Sequence, residues 1–394
     1  MDRVKKNVGV LAACQALLFT NNSTVIAVNG LAGYALATNK AYATLPVTGW
    51  IVGAAATSFL ASMLMKKVGR RIGFSIGAII GMIGAGLAAL AISMQSLAML
   101  TAATFVFGTY NAFGALYRFA AADSAPADFK AKAISLVLAG GLVGGLVGPQ
   151  VSTFTIDMFS TRFMGAYLAL IGFMILAMLV LQLLDIPPPS DEEKAEGGRP
   201  LKEIMVQPNF IIAAMSGAFG YGVMNLLMVA TPLEMTMVCG HPYGAAALVI
   251  GSHVVGMFAP SFFTGSLIKR FGTLNVMMFG ALLLLVTVGI ALSGITVAHF
   301  WFALVLLGIG WNFIYIGATN LLTDCYKPNE KNKTQGANDS IIFITMVLSS
   351  FTSGFMLNKN GWAMLNYVSG SVVLGIVIVI VWGMMRPAPR PATA

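Results

Sequence analysis

The chain has 394 residues, 58% of them hydrophobic and only 9% charged, with a mean hydropathy of +0.84. A soluble globular domain is about 25% charged, so the polar residues needed to coat a water-exposed globule are missing, and the wealth of apolar residues excludes a disordered chain. Cys14, Cys239 and Cys325 are too far apart for a disulfide framework or a metal site, so neither a metal nor a cofactor is expected.

A bilayer core about 30 Å thick takes roughly 20 apolar residues per helical crossing. Stretches of that kind lie at 9–32, 43–65, 72–93, 97–121, 132–156, 163–184, 210–232, 243–268, 274–294, 299–322, 337–357 and 362–385. Lipid offers no partner for free backbone N–H and C=O groups, and the alternating pattern of a membrane barrel is absent. An all-α polytopic membrane protein with twelve transmembrane helices is therefore predicted. Arg3, Lys5 and Lys6 precede the first stretch as in a signal peptide, but its apolar run is longer than a signal core, so it is predicted to be retained. The longest polar stretch, 185–209, holds Pro187-Pro188-Pro189, the acidic run Asp191-Glu192-Glu193, and then Gly197 and Gly198. It reads as a flexible linker between one six-helix bundle over 1–184 and a second over 210–394. With both termini inside, twenty of the 23 cations fall on the cytoplasmic side and only Lys40, Arg162 and Lys359 outside, as the positive-inside rule requires. The net charge of +9 is thus a matter of loop topology. The lipid bilayer is the expected surroundings, and no nucleic-acid partner is expected.

The two bundles echo each other. Ser62-Met63-Leu64-Met65-Lys66-Lys67-Val68-Gly69-Arg70, after the second span, meets Gly265-Ser266-Leu267-Ile268-Lys269-Arg270-Phe271-Gly272-Thr273, after the eighth, at a shift of 203. At a shift of 201, Tyr110-Asn111 meets Trp311-Asn312 and Asp123 meets Asp324. Matches in equivalent topological places indicate two parallel six-helix repeats. In these features the chain resembles the major facilitator superfamily over nearly its whole length. Of that family's loop pattern G-x-x-x-D-[RK]-x-G-[RK]-[RK], Lys67, Gly69, Arg70 and Arg71 are present, while Ser62 replaces the glycine and Lys66 the aspartate. Gly144, Gly148 and Pro149 look like its G-x-x-x-G-P motif, common in exporters, without the trailing glycine pair. The resemblance implies a central cavity ringed by spans one, four, seven and ten, and a 66–71 loop that contributes to gating, although the usual latch between the halves lacks its aspartate. The plainer role of that loop is helix orientation and contact with anionic lipid headgroups.

Polar side chains inside spans are costly in hydrocarbon and turn to the protein interior or to water. One asparagine falls near the middle of each of spans one, four, seven and ten: Asn22, Asn111, Asn225 and Asn312. Gln15 lies on the face of Asn22, and Tyr110, Tyr221, Trp311 and Tyr315 stand nearby. Amides both donate and accept, and the rings add apolar area, most with a polar tip, so these nine residues form the predicted substrate site. Bonding between neighbouring helices is the plainer use of each asparagine.

No carboxylate falls near the middle of a span, which leaves three groups for coupling or gating. His253 is a proton-exchanging imidazole or a neutral, hydrogen-bonded one. Arg118 snorkels to the cytoplasmic surface, or pairs with a substrate anion or at a gate. Asp339 caps span eleven or pairs with a cation of the 66–71 loop. In span five, Gly140, Gly141, Gly144, Gly145 and Gly148 recur at three- and four-residue spacing. They make a groove for another helix, serving either static packing or a sliding surface between the halves, with Pro149 bending the helix.

There is no Walker loop, HExxH, GxSxG or CxxC, so no enzyme is expected. The predicted function is secondary transport by a monomer in the bacterial inner membrane. A small neutral, zwitterionic or amphipathic solute would move by alternating access. The glycine-proline motif favours export by proton antiport; the missing mid-span acid favours import, with or without protons. A non-transporting receptor of this fold would be expected to carry a larger cytoplasmic segment than the linker.

Overall fold

The computed structural model describes residues 2–39, 42–191 and 198–386; Lys40, Lys194, Arg390 and the linker residues 192–197 lie outside the described residues. The protein is 85% helical and, among the described residues, has no strand. Spans one to three are α1 (Asp2–Leu36), α2 (Leu45–Val68) and α3 (Arg70–Ser93). Span four is broken into α4 (Leu97–Gly114) and α5 (Tyr117–Asp123); spans five and six are α6 (Lys130–Thr155) and α7 (Met164–Leu181). A short α8 (Leu201–Met205) leads from the linker into α9 (Pro208–Leu233), span seven. Span eight is the pair α10 (Tyr243–Phe258) and α11 (Ser261–Phe271), bent by 42° where Pro260 interrupts it. Spans nine and ten are α12 (Thr273–Ser293) and α13 (Val297–Leu322).

The last helix, α14 (Lys331–Met384), has 54 residues, far more than one crossing uses. At Gly361 its backbone leaves helical geometry (φ 77°, ψ 173°), and the chain turns back. Lys333, near its start, donates to the Arg199 carbonyl (2.5 Å), and Gly383, near its end, lies against Ile212 at the start of α9. It therefore supplies spans eleven and twelve, and the predicted count of twelve is reached. The first helix starts at Asp2 instead of residue 9, because Arg3 and Asn7 have a polar partner there. Arg3 Nη2 meets Asp185 Oδ1 (2.7 Å) and Asn7 Nδ2 donates to the Asp185 carbonyl (2.8 Å).

The repeated loop has one geometry in both places. Gly69 (φ 83°, ψ 170°) ends α2 and Gly272 (φ 87°, ψ 152°) ends α11. Each backbone N–H bonds the carbonyl four residues back, Met65 and Ile268 respectively. A positive φ at these hinges is what the glycine supplies, while the cations before it suit the helix C-terminus.

Within the first six spans α1 lies on α6 and α7; within the last six α9 lies on α13 and α14. The two groups meet mainly where α2 crosses α14 and where α6 crosses α10 and α11. The linker is tied down at its second end by Arg199 and Glu330. The buried Glu330 carboxylate accepts from Arg199 Nη2 (2.6 Å), Arg199 Nε (3.0 Å), the Arg199 backbone N–H (2.7 Å) and the Lys327 backbone N–H (3.0 Å). These bonds favour the ionised form, Arg199 foremost, and hold the Glu330 carboxyl down at about 2 instead of the ordinary 4.5.

A carboxyl depressed in this way contributes stability that is complete above about pH 4.5 and lost as the pH falls toward 2. Thermal stability of the wild type and of Glu330→Gln, followed from pH 7 to pH 2.5, should therefore converge on the acid side. At the hinge, Gly272→Ala adds a Cβ that meets nothing closer than 4.0 Å, so its effect isolates the backbone cost. A loss of about 1–3 kcal/mol is expected in a detergent unfolding curve.

Candidate functional site

The contacts between the halves are unevenly spread. The hydrogen bonds and ion pairs through which Ser62, Arg70, Asp123, Ser135 and Lys269 join spans one to six to spans seven to twelve lie on the side of the bundle that carries the linker. Ser62 Oγ donates to the Asn332 carbonyl (2.7 Å). Arg70 Nη2 donates to both Asp123 Oδ2 (2.8 Å) and Gln335 Oε1 (2.6 Å), and Tyr326 Oη donates to Asp123 Oδ1 (3.1 Å). At the other crossing Ser135 Oγ donates to the Ser261 carbonyl, and the Gly265 N–H donates to Ser135 Oγ (3.0 Å). Lys269 Nζ reaches Asp128 on the exposed surface (3.3 Å). Ser62 and Gly265, equivalent in the repeat, thus both sit where one half crosses the other. A Cβ at Gly265 would come within 2.6 Å of the Ala131 carbonyl, so that crossing needs glycine. Arg70, bridging Asp123 and Gln335, makes the cross-half contact for which the family loop pattern has an aspartate and this chain has Lys66. Lys67 and Arg71 are exposed, and Arg71 bonds Gln182 in its own half.

Arg118 follows the second of its expected placements, pairing across the halves, whereas Asp339 follows neither of its own. Arg118 does not snorkel: it is 2% exposed, in α5, and pairs with Asp339, 1% exposed, across the interface. The pair is possible because span four breaks at Ala115-Leu116, which lets Arg118 Nη1 donate to the freed Ala115 carbonyl (2.6 Å) while Nε reaches Thr319 Oγ1 (3.2 Å). Asp339 caps nothing, since α14 begins at Lys331 and carries it about two turns deeper. Its partner is Arg118 instead of a cation of the 66–71 loop. Removing one member of such a buried pair costs on the order of 3–5 kcal/mol.

Against the pair stands an aromatic wall. The Arg118 guanidinium lies 4.8 Å from the Tyr315 ring centre. Tyr315 stacks on Trp311 at 4.8 Å, and Tyr221 meets both edge-on at 5.5 and 5.2 Å. Phe258 extends the wall from Trp311 (6.0 Å) to Phe19 of α1 (4.6 Å), so rings of both halves contribute. Asn22 Nδ2 donates to Asn111 Oδ1 (2.9 Å), tying spans one and four. Asn225 Nδ2 donates to Ser349 (2.9 Å) and Ser350 (2.8 Å) of span eleven. Gln15 is buried on α1.

Two predicted site residues face elsewhere. Tyr110 is fully buried inside the first half, its ring against Gly81 of α3 and Phe107, because the small residues of α3 let α4 approach closely. Asn312 is consumed in holding the bent span eight: it accepts from Thr264 Oγ1 (2.7 Å) and donates to Ser261 Oγ (2.6 Å) and the Met257 carbonyl (2.6 Å). Those carbonyl and hydroxyl groups cluster at the Pro260 bend, which is why a polar residue is needed there. His253 is fully buried within the same span, with Nδ1 bonded to the Leu304 carbonyl (2.7 Å). The glycine run serves two neighbours. Gly144 and Gly148 lie against Ala16, Thr20 and Ser23 of α1, within the first half, whereas Gly141 and Gly145 face Phe258 and Val254 of α10. Pro149 is exposed on α6. Sequence reasoning missed Thr319, Gln335, Ser349, Ser350 and Phe258; apart from Gln335 near the start of span eleven, these ordinary span residues gain meaning only from their neighbours.

Comparison with known proteins agrees with this architecture. The family model of the Major Facilitator Superfamily matches residues 11–259 and 213–394. The chain is 39% identical over 393 residues to the riboflavin transporter RfnT of Brucella anthropi, covering 99% of this chain and 98% of that one. It is 28% identical over 378 residues to the uncharacterised MFS-type transporter YdeG of Bacillus subtilis, covering 92% and 88%. Among solved structures it superposes on the proton:xylose symporter XylE with a TM-score of 0.79 at 15% identity, covering 98% and 96%. It also superposes on a bacterial homologue of the iron transporter ferroportin with a TM-score of 0.75 at 13% identity, covering 96% and 100%.

If Arg70 holds the halves together on the linker side, Arg70→Gln should loosen that crossing. A cysteine placed at the fully buried Ser62, in a background without the native cysteines, should then react with a thiol reagent roughly tenfold faster, the scale of one charge-assisted hydrogen bond. Unchanged labelling would contradict the latch.

Proposed function

Because the chain belongs to the Major Facilitator Superfamily of multi-pass membrane transporters, we propose that it imports riboflavin, or a flavin of the same neutral heteroaromatic kind, by alternating access. The observation that carries this reading is the wall of Tyr221, Trp311 and Tyr315 in a chain so close to a riboflavin transporter. A tricyclic ring offers two flat faces to such rings, and stacking of a heteroaromatic base on an aromatic side chain is worth roughly 1–3 kcal/mol. Asn22, Asn111, Asn225 and Gln15 supply donors and acceptors for the polar edges of the ring and its polyol chain. The site has little net charge, which suits a neutral solute.

The two bundles, 1–184 and 210–394, rock about this site with the 185–209 linker between them, and the protein works as a monomer. The cation bias supports a cytoplasmic linker side in a bacterial inner membrane, with both termini inside. The hydrogen bonds named above between the halves gather on that side, as a state that loads its solute from outside requires. Proton coupling is an open addition to this scheme, and no chemical change of the solute is involved.

Proteoliposomes holding the purified protein should accumulate riboflavin. Trp311→Ala and Tyr315→Ala should each raise the half-saturating concentration about tenfold or more. Repeating the assay with and without an imposed pH gradient decides coupling. Export against this direction, or full activity in both variants, would remove the reading.

A further inference from the structure

The two charges beside the aromatic wall are not equally satisfied. Arg118 spends its donors on Asp339 Oδ1, Thr319 Oγ1 (3.2 Å) and the Ala115 carbonyl (2.6 Å), and lays its face over Phe119 (4.4 Å) and Tyr315 (4.8 Å). Asp339 Oδ1 receives Arg118 and Asn338 Nδ2 (3.0 Å). The other carboxylate oxygen, Oδ2, is buried with no hydrogen-bond partner among the described residues. Two more buried atoms of the site share that condition, the acceptor Asn22 Oδ1 and the donor Trp311 Nε1. The guanidinium at this depth is thus already neutralised, while the carboxylate that neutralises it keeps one oxygen unbonded.

We infer that Asp339 sets the charge selectivity of the site. By cancelling Arg118 and keeping a spare carboxylate oxygen, it accepts ligands that are neutral and rich in O–H and N–H donors, and turns away the same ligands once phosphorylated. The inference rests on the flavin reading and deepens it. Riboflavin brings ribityl hydroxyls and an imide N–H, any of which can donate to Oδ2 in a charge-assisted bond. Riboflavin 5′-phosphate brings up to two negative charges and mostly acceptor oxygens, with no free cation to receive them and a carboxylate to oppose them. The same protein that Arg118 alone would make a receptor for anions is held by Asp339 to neutral solutes.

The test measures binding of riboflavin and of riboflavin 5′-phosphate to the purified full-length protein, read by quenching of flavin fluorescence. Wild type should prefer riboflavin by about tenfold or more. Asp339→Asn, which keeps the shape and frees Arg118, should bind riboflavin more weakly and the phosphate more tightly, narrowing the ratio by roughly tenfold or reversing it. A residue that only supports the fold would weaken both ligands in parallel, and an unchanged ratio in a variant that still binds riboflavin overturns the inference. Should Asp339→Asn fail to fold with its buried arginine unpaired, Arg118→Gln with Asp339→Asn removes both charges and should lessen the preference without reversing it. Equal binding of the two flavins by wild type overturns the inference and leaves riboflavin transport standing. Absence of riboflavin binding by wild type removes the substrate reading, and charge selectivity among flavins with it.

Discussion

A charge or an open hydrogen bond inside a bilayer has to be answered by the protein itself, and the architecture of this transporter follows from where those answers lie. Arg118 and Asp339 are held at depth only because each has the other, and they belong to different halves. The same holds one layer nearer the linker, where Arg70 of one half is completed by Asp123 of its own half and Gln335 of the other. Polar groups that lipid cannot satisfy thus become the contacts by which two separate bundles recognise a shared closed arrangement.

The duplication in the chain sets equivalent positions in each half, but the two halves use them differently. The hinge glycines Gly69 and Gly272 keep the same backbone, since their task is purely geometric. The asparagines diverge: Asn22 and Asn111 bond each other, whereas Asn225 turns to span eleven and Asn312 to the bend of span eight. One half is therefore bound mainly by amides and the other presents aromatic rings, an asymmetry suited to a solute with a polar and a flat end.

How much of this was legible in the sequence depended on the range of the physics involved. Span positions, the repeat and the linker are written in local hydropathy and charge, and they were readable without coordinates. Asn22, Asn225, Tyr221, Trp311 and Tyr315 stand out in the sequence by their mid-span positions, and the structure brings the three rings together while the two asparagines bond neighbouring spans. The partner of Arg118 was not legible, because it depends on a break in span four just after Gly114 and on an extra two turns of helix before Asp339, and these decide which residues of the two halves meet. Tyr110 and Asn312 look equivalent by spacing to Tyr221, Trp311 and Asn22, and only their surroundings show that they turn into packing.

The linker has a mechanical consequence. Its first end is moored by Asp185 to Arg3 and Asn7, with Pro189 resting beside Gly69, and its second end is moored by Arg199 to Glu330. Pro189 and Arg199 are ten positions apart in the chain, so the contour between them is at most about 35 Å. While both moorings hold, the linker is a leash of set length across the mouth between the bundles, and it caps how wide that mouth can gape in each cycle.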